Sequence, residues 1–262
     1  MHFPCLRSLT LSVCESDGTD FIDFILAHND TIEEMEMEYM KYPGYTLAFN
    51  DLALTRLGPD SLPHLRSFKG SGFSLVIMVQ AGMKCLNTTL QRLVVKPIKA
   101  RRPMWEVQSM FDTLLSPVTG GGIASLSVLK EFDIDLSEWE GGEASDIIGT
   151  IGRCAECCGG SLEVWRMNFP YGIRLDAEVL VESFRLFERL KVIHLPAGVI
   201  TSNKYKAEVG QGAYVHSLAS GCRALEEVGF LSNWSFDELE IAEWEVLRVS
   251  EQGSICSVRR VV

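Results

Sequence analysis

A short apolar phrase recurs eight times along this chain, and it constrains the fold more than any other feature. The phrase reads Leu-x-x-Leu-x-Leu, with Met, Phe, Ile, Val or Trp replacing some of the leucines. It begins at Leu6, Ile32, Leu65, Leu90, Leu129, Leu162, Leu190 and Leu225, at intervals of 25 to 39 residues. One match would mean little because leucine is common, but eight matches predict a structural repeat.

Each phrase predicts a half-buried strand, because its apolar positions alternate with polar ones. Apolar residues at helical spacing precede several phrases, as in residues 21–25 and 179–187, and Asp176 is a candidate cap for the second of these helices. Strands that are linked through helices pair in parallel, and neither element can hide its apolar face alone. The sequence therefore predicts an α/β fold, with a curved parallel sheet on the concave face and helices outside.

We expect residues 1–262 to form a single irregular leucine-rich solenoid of about eight degenerate repeats. The third copy is defective, because Gly70 takes the place of its last apolar residue. The tail near 244–262 has two apolar segments on either side of a glycine-containing stretch, which predicts a β-hairpin. Such a hairpin would cap the last open edge of the sheet.

The charge balance bears on the class of partner. Lys+Arg number 24 and Asp+Glu number 35, which gives a net charge of −11. We therefore expect no nucleic-acid partner and no membrane partner, since both recruit basic surfaces. The N-terminus does not read as a secretory signal, so we expect reduced cysteines and an intracellular protein of the cytoplasm or nucleus.

Motifs that carry chemistry are missing from the sequence. It contains no nucleophile elbow, Walker loop, HExxH motif or dinucleotide fingerprint, so we expect no catalytic residue and no cofactor. Cys154, Cys157 and Cys158 form half of a possible zinc site, but no second pair completes it, so we expect no metal. Cys85, Cys158 and Cys222 each precede a repeated leucine, and we expect them to be small buried hydrophobic residues.

The polar positions of the phrases are the candidate site, because alternation along a strand sends them to the concave face. The predicted partner-binding residues are Glu34, Glu36, Glu38, Lys69, Arg92, Lys96, Glu131, Asp133, Asp135, Arg166, Asn168 and His194. The second and fifth strands are acidic, and basic residues lie on the strands between them. Like charges along one strand repel each other. The stripes are interpreted either as a solvated face or as a charge-patterned docking surface for a protein.

The repeat resembles the leucine-rich repeat family, and within it the C-terminal repeat region of fungal F-box proteins. The resembling phrases are Phe3-Pro-Cys-Leu-Arg-Ser-Leu-Thr-Leu11, Thr31-Ile-Glu-Glu-Met-Glu-Met37 and Leu62-Pro-His-Leu-Arg-Ser-Phe68. In that family the repeats recruit a protein for ubiquitination, and an N-terminal F-box docks on the adaptor subunit of the ligase. The resemblance implies a non-catalytic scaffold that acts as a substrate receptor. Only five residues precede Leu6, so a ligase adaptor is an expected partner only if an F-box exists outside this chain.

Two alternatives belong to another functional class. The chain could be a repeat-type enzyme regulator such as a GTPase-activating protein, or a cryptic enzyme that uses a concave charged site. A regulator of that kind needs an exposed Arg or Asn placed for phosphate chemistry. Arg166 and Asn168 are the concave candidates for this role.

Overall fold

The computed structural model of the chain describes residues 3–12, 19–38, 56–96, 110–115, 126–136, 143–169, 173, 175–196, 208–231, 241–248 and 255–261. The strands are β1 (Ser8–Ser12), β2 (Glu34–Glu38), β3 (Ser67–Gly70), β4 (Arg92–Val95), β5 (Glu131–Asp135), β6 (Val164–Asn168), β7 (Val192–Pro196), β8 (Glu227–Leu231), β9 (Ile241–Arg248) and β10 (Ile255–Val261). The helices are α1 (Thr19–Ala27), α2 (Gly72–Gln80), α3 (Cys85–Thr88), α4 (Ala144–Cys158), α5 (Ala177–Phe184) and α6 (Glu208–Gly221), and residues 110–115 are also helical.

The ten strands form one sheet in which spatial order follows chain order. Strands β1 to β8 pair in parallel, each with the next. Strands β9 and β10 add to β8 as antiparallel neighbours, so the sheet ends in a hairpin. The predictions of an α/β fold with a mainly parallel sheet are therefore confirmed.

The apolar middle position of each phrase lies in one continuous row across the sheet. The paired residues of this core row are Leu9, Met35, Phe68, Leu93, Phe132, Trp165, Ile193, Val228 and Trp244. All nine side chains are buried and belong to one hydrophobic cluster. A shift of one residue in any strand would turn its core residue to the other face, so this row fixes the register.

The helices pack on the face that carries the core row. Phe184 of α5 contacts Trp165 with ring centroids 5.8 Å apart, and Tyr214 of α6 contacts Phe230 at 6.2 Å. Phe111 contacts Phe132 at 6.1 Å. Asp176 caps α5 as predicted, because its carboxylate accepts from the backbone N–H groups of Glu178 and Val179. Among the described helices, none combines the length and the apolar character that crossing a membrane requires.

Shared backbone carbonyls join neighbouring strands at their N-terminal ends. The Arg7 carbonyl accepts from the N–H groups of Glu33 and Glu34, and the Glu33 carbonyl accepts from Arg66 and Ser67. The same arrangement recurs at the carbonyls of Arg66, Gln91, Lys130, Glu163 and Lys191, with all N···O distances between 2.7 and 3.1 Å. These bonds lock each strand start onto the previous one without using side chains.

Gly70 is explained by its neighbour on the core face. A Cβ atom at Gly70 would lie 2.7 Å from Cζ of Phe68, which is closer than real Cβ contacts. The ring of Phe68 therefore fills the space that the missing apolar side chain would take. The third repeat has one large residue where the other copies have two apolar residues.

Candidate functional site

The face opposite the core row, here called the open face, carries the polar positions of the strands. Its first polar row runs through Ser8, Glu34, Ser67, Arg92, Glu131, Val164, Val192, Glu227, Glu245 and Arg259. Its second polar row runs through Thr10, Glu36, Lys69, Val94, Asp133, Arg166, His194 and Gly229. The candidate residues of these two rows therefore face the same side of one sheet.

Asp133 lies at the centre of the open face between two arginines. Nη2 of Arg92 on β4 donates to Asp133 Oδ2 at 3.3 Å, and Nη1 of Arg166 on β6 donates to Asp133 Oδ1 at 3.0 Å. Arg166 also reaches Glu131 at 3.4 Å, and Arg92 lies 3.7 Å from the same carboxylate. The Asp133 side chain is only 5% exposed, whereas Arg92 is 51% exposed. The four side chains form a balanced cluster of two acids and two bases.

Two further candidate pairs bridge neighbouring strands. Lys69 forms an ion pair with Glu36. Asn168 donates from Nδ2 to Asp135 Oδ1 at 3.3 Å. Lys96 follows β4 directly and is half-buried.

The acidic stripes are therefore compensated in part at both strands. The repulsion expected along β5 is offset because β4 and β6 place arginines at the same register, and Lys69 does the same for Glu36 on β2. These ion pairs between strands stabilise the fold. Part of the charge pattern, which we interpreted from the sequence as a solvated face or a docking surface, therefore has a structural role. Asp133, Asn168 and His194 are buried, at 4%, 4% and 6% exposure, although the alternation of the strand suggests outward residues. Each of the three is hydrogen-bonded to a side chain of a neighbouring strand.

His194 is held by an acid that sequence reasoning did not select. His194 Nε2 lies 2.9 Å from Glu227 Oε1, and because a carboxylate accepts, the ring donates through Nε2–H. Nδ1 of the ring is buried and has no hydrogen-bond partner among the described residues. The eighth phrase contains Glu227 at the same polar position as Glu131, so alignment of the phrases is the signal that would have found it.

Glu34 and Glu38 complete the predicted set. Glu34 lies in the first polar row between two serines and is exposed. Glu38 ends β2, and its side chain lies outside the described residues. Glu245 and Arg259 extend the first polar row into the hairpin, where they form an ion pair. Sequence reasoning missed both, because the tail does not contain the repeated phrase.

A second line of polar side chains, all charged except Gln91, runs along the strand starts, and seven of its eight residues supply the shared carbonyls. It reads Arg7, Glu33, Arg66, Gln91, Lys130, Glu163, Lys191 and Glu226. Lys191 Nζ lies 2.7 Å from Glu163 Oε2, and Arg7 lies 3.7 Å from Glu33. The hydrogen bond from Lys191 holds the pKa of Glu163 below its ordinary value, and the same bond raises the pKa of Lys191. The second position of each phrase carries this signal, which the sequence analysis did not use.

The cysteines serve the core. Cys85, Cys158 and Cys222 are buried at 1%, 3% and 1% exposure, as predicted. Burial raises the pKa of Cys85 to about 12, and burial with the charges of Cys158 and Glu156 raises that of Cys157 to about 12. Cys154 and Cys158 lie with their sulfurs 3.4 Å apart. Within the described ranges, no three His, Cys, Asp or Glu side chains are placed to hold a metal ion.

Comparison with known proteins does not assign the open face. No family model matches the chain, and no curated protein matches its sequence.

Proposed function

We propose that the chain is a leucine-rich-repeat solenoid that acts as a non-catalytic protein-binding scaffold. The regular sheet supports the solenoid, because seven successive strand starts repeat one pattern of shared carbonyls. The buried first residue of the phrases supports it further, since Ile32, Leu129 and Leu225 are each fully buried. Repeats that stack in this way bury a continuous core that no single repeat could bury.

One observation carries the binding role: two polar rows keep the same register across eight or more strands, on the face away from the helices. Eight strands spaced about 4.8 Å apart extend over roughly 38 Å. An area of that length supplies the roughly 800 Å² that each partner contributes to an ordinary interface. Charges fixed at set positions select a partner more than they strengthen its binding.

The resemblance to fungal F-box proteins specifies the role further. On that basis the partner is a protein presented for ubiquitination, and the contact with the ligase adaptor depends on an F-box outside this chain. An intracellular scaffold, in the cytoplasm or nucleus, is consistent with the free thiols of six described cysteines.

The contacts of Arg166 and Asn168 favour a scaffold over an enzyme regulator. Both side chains bind carboxylates on β5, namely those of Asp133 and Asp135. An arginine finger stabilises transition-state charge with a guanidinium that is free to reach the phosphate. Arg166 is already bound by two acids and is 25% exposed.

A charge-swap experiment tests the scaffold. The double variant Glu36→Lys with Lys69→Glu keeps the ion pair and the net charge but reverses the pattern. Proteins captured by the wild-type chain from its native cell are identified by mass spectrometry and then assayed with each variant. We expect an unchanged melting temperature and loss of the partner.

The matched control swaps an ion pair on the helix layer, Glu182→Arg with Arg185→Glu. This control should retain the partner. Loss of the partner from both swapped proteins, or from neither, would refute the open face as the binding surface.

A further inference from the structure

The edge of β1 that faces away from β2, here called the free edge, has the features of a second binding site. We propose that a partner protein adds an extended segment to this edge as a parallel strand. The segment places an acidic residue beside Arg7 and apolar residues beside Leu6 and Leu9. This site is separate from the open face, so it goes beyond the proposed function.

The free edge presents main-chain groups that every later strand of the parallel sheet uses. β1 is the first strand of the sheet, and within the described ranges it pairs with β2 alone. The Glu34 N–H donates to the Arg7 carbonyl at 2.9 Å, which fixes the parallel ladder between the two strands. Ser8 and Thr10 therefore turn their N–H and C=O groups to the free edge. At seven joints a strand start receives a carbonyl of the preceding strand through two N–H groups, and on β1 the equivalent groups are those of Arg7 and Ser8.

The free edge lacks the features that protect the edge at the other end of the sheet. β10 forms that edge, with exposed arginines at positions 259 and 260 and a register shift between Ile255 and Ser257. Charged side chains and irregularities of this kind keep a sheet from adding further strands. β1 reads Ser-Leu-Thr-Leu-Ser, without a charged residue or a proline, and its register with β2 is regular. It is therefore open to strand addition.

Burial of apolar side chains is incomplete at the free edge. The first residue of the phrase is 0% exposed in the seven later copies, at Ile32, Leu65, Leu90, Leu129, Leu162, Leu190 and Leu225. Leu6 holds that position in the first copy and is only partly buried, and Phe3 beside it is 44% exposed. In the core row Leu9 is 8% exposed, whereas no residue from Met35 to Val228 exceeds 4%. A neighbouring strand with apolar residues at the same two positions would complete this burial.

Arg7 specifies the charge of the docking strand. Within the sheet, Lys191 at the start of β7 lies 2.7 Å from Glu163 at the start of the preceding strand. Arg7 lies 3.7 Å from Glu33 on the β2 side, and its side chain is 77% exposed, so it can also reach an acid on the other side. An acidic residue at the start of the docking strand would pair with Arg7 as Glu163 pairs with Lys191. The docking strand therefore has the pattern apolar, acidic, any residue, apolar.

Peptide binding tests the free edge. The Glu peptide has the sequence of residues 161–168, Ser-Leu-Glu-Val-Trp-Arg-Met-Asn, and the Lys peptide differs from it by Glu163→Lys. Each peptide carries a fluorophore and is titrated with the full chain, and anisotropy reports binding. We expect the Glu peptide to bind about threefold more tightly, the size of one exposed ion pair, although the net charge of −11 attracts the Lys peptide more. Equal binding, or tighter binding of the Lys peptide, would overturn the inference.

Reversal of the charge at Arg7 should reverse this preference. We expect Arg7→Glu to bind the Lys peptide more tightly than the Glu peptide. The matched control is Arg185→Glu, which makes the same change of charge at an exposed position of the helix layer and should keep the preference for the Glu peptide. Equal changes of preference in the two variants would show an effect of net charge only and would contradict the pairing with Arg7.

Two variants of Thr10 test whether the peptide adds to the free edge. Thr10→Pro removes an N–H group from that edge without removing a hydrogen bond between β1 and β2, so we expect peptide binding to be lost. Thr10→Val keeps the N–H group and should bind as the wild type does. In the wild-type chain, which requires no variant to fold, the Glu peptide should slow hydrogen exchange of the Ser8 and Thr10 amides. Binding that survives Thr10→Pro, or protection confined to other strands, would overturn strand addition at β1.

A second copy of this chain is the other occupant to test. Sedimentation velocity of the chain without peptide should show a monomer, and dimers that Thr10→Pro dissociates would overturn the partner segment.

The failures of the two proposals can be told apart. The open-face variant Glu36→Lys with Lys69→Glu should bind the Glu peptide as the wild type does. Loss of the captured partner from this variant with retention of the peptide would support both sites. Loss of the peptide from it would overturn the free edge and leave the scaffold standing.

Discussion

Asp133 holds the centre of the open face because arginines from both neighbouring strands bind it. Its carboxylate is nearly inaccessible to water, and each oxygen accepts from a different guanidinium. Charged groups that lie this deep are stable only when they are paired and hydrogen-bonded. Asp133 therefore acts first as a structural residue, and a partner would read the more exposed Arg92 and Glu131 around it.

The variant Asp133→Asn should destabilise the chain. The amide keeps the shape but loses the charge, and Arg92 and Arg166 would then share Glu131 alone. We expect the free energy of unfolding to fall by about 1–3 kcal/mol, measured by urea denaturation. Asp112→Asn removes an acid from an exposed ion pair with Arg153 and should cost less than about 1 kcal/mol. Equal losses from the two variants would contradict a structural role for Asp133.

Gly70 offers a second test at the level of one residue. Gly70→Ala places a methyl group against the ring of the buried Phe68, so we expect a loss of about 1–3 kcal/mol from overpacking. Gly149→Ala is the matched control, because its new methyl group meets nothing within 4 Å and lies on the exposed side of α4. That control should gain up to about 1 kcal/mol from helix propensity. Thermal melts measure the change in melting temperature of both variants. A Gly70→Ala protein that melts at the wild-type temperature would refute our explanation of why the third repeat has glycine at this position.

At the scale of elements, strands were more predictable than helices. The phrase marks all eight parallel strands, because alternation of apolar and polar residues is local and strict. Helix α2 was not predicted, since residues 75–79 form an apolar run without a polar face and its start depends on Ser71, whose side chain accepts from the Ser74 N–H. The pairing of Arg92 with Asp133 joins residues 41 positions apart. It follows from the strand register and could not be read from local sequence.

Helix α4 makes a prediction about thiol chemistry. Its cysteines are buried, and burial raises the pKa of Cys157 to about 12, so this thiol stays protonated and unreactive near neutral pH. We expect N-ethylmaleimide to label the exposed Cys5 before Cys157 and Cys85, as followed by peptide mass spectrometry. Labelling in urea should equalise the three sites. Rapid modification of Cys157 in the folded chain would show that α4 does not bury this face.

At the scale of the whole molecule, charges of alternating sign follow the strand starts, except at Gln91, which is neutral and lies between Arg66 and Lys130. Each rung places a side chain beside that of the previous strand, so an acid between two bases is attracted from both sides. These exposed pairs contribute little individually. A sheet that skipped a strand, for example by pairing β5 with β7, would bring like charges such as Lys130 and Lys191 together. The line therefore favours the correct order of repeats more than it raises stability.

The pKa of Glu163 is sensitive to the basic residues on the two neighbouring strands. Its value in the folded chain is lowered chiefly by the hydrogen bond from Lys191, so its contribution to stability is present above the unfolded pKa. That contribution is lost as the pH falls through the lowered folded value. We expect Lys191→Met to raise the pKa of Glu163 towards its ordinary value, measured by NMR titration. Lys130→Met removes a weaker Coulombic contribution and should raise it less; an equal rise would contradict the hydrogen bond as the main cause.

The shared carbonyls have a consequence for how such a chain can change. Each joint between neighbours consists of main-chain atoms, so replacing residues in the connecting arms leaves the joints untouched. The helices between the strands differ in length, from four residues in α3 to 15 residues in α4, and the same kind of joint accommodates both. The fold requires only that a few regularly spaced positions keep an apolar residue. A chain whose strands are joined in this way can therefore lose detectable sequence similarity to its relatives while it keeps its fold.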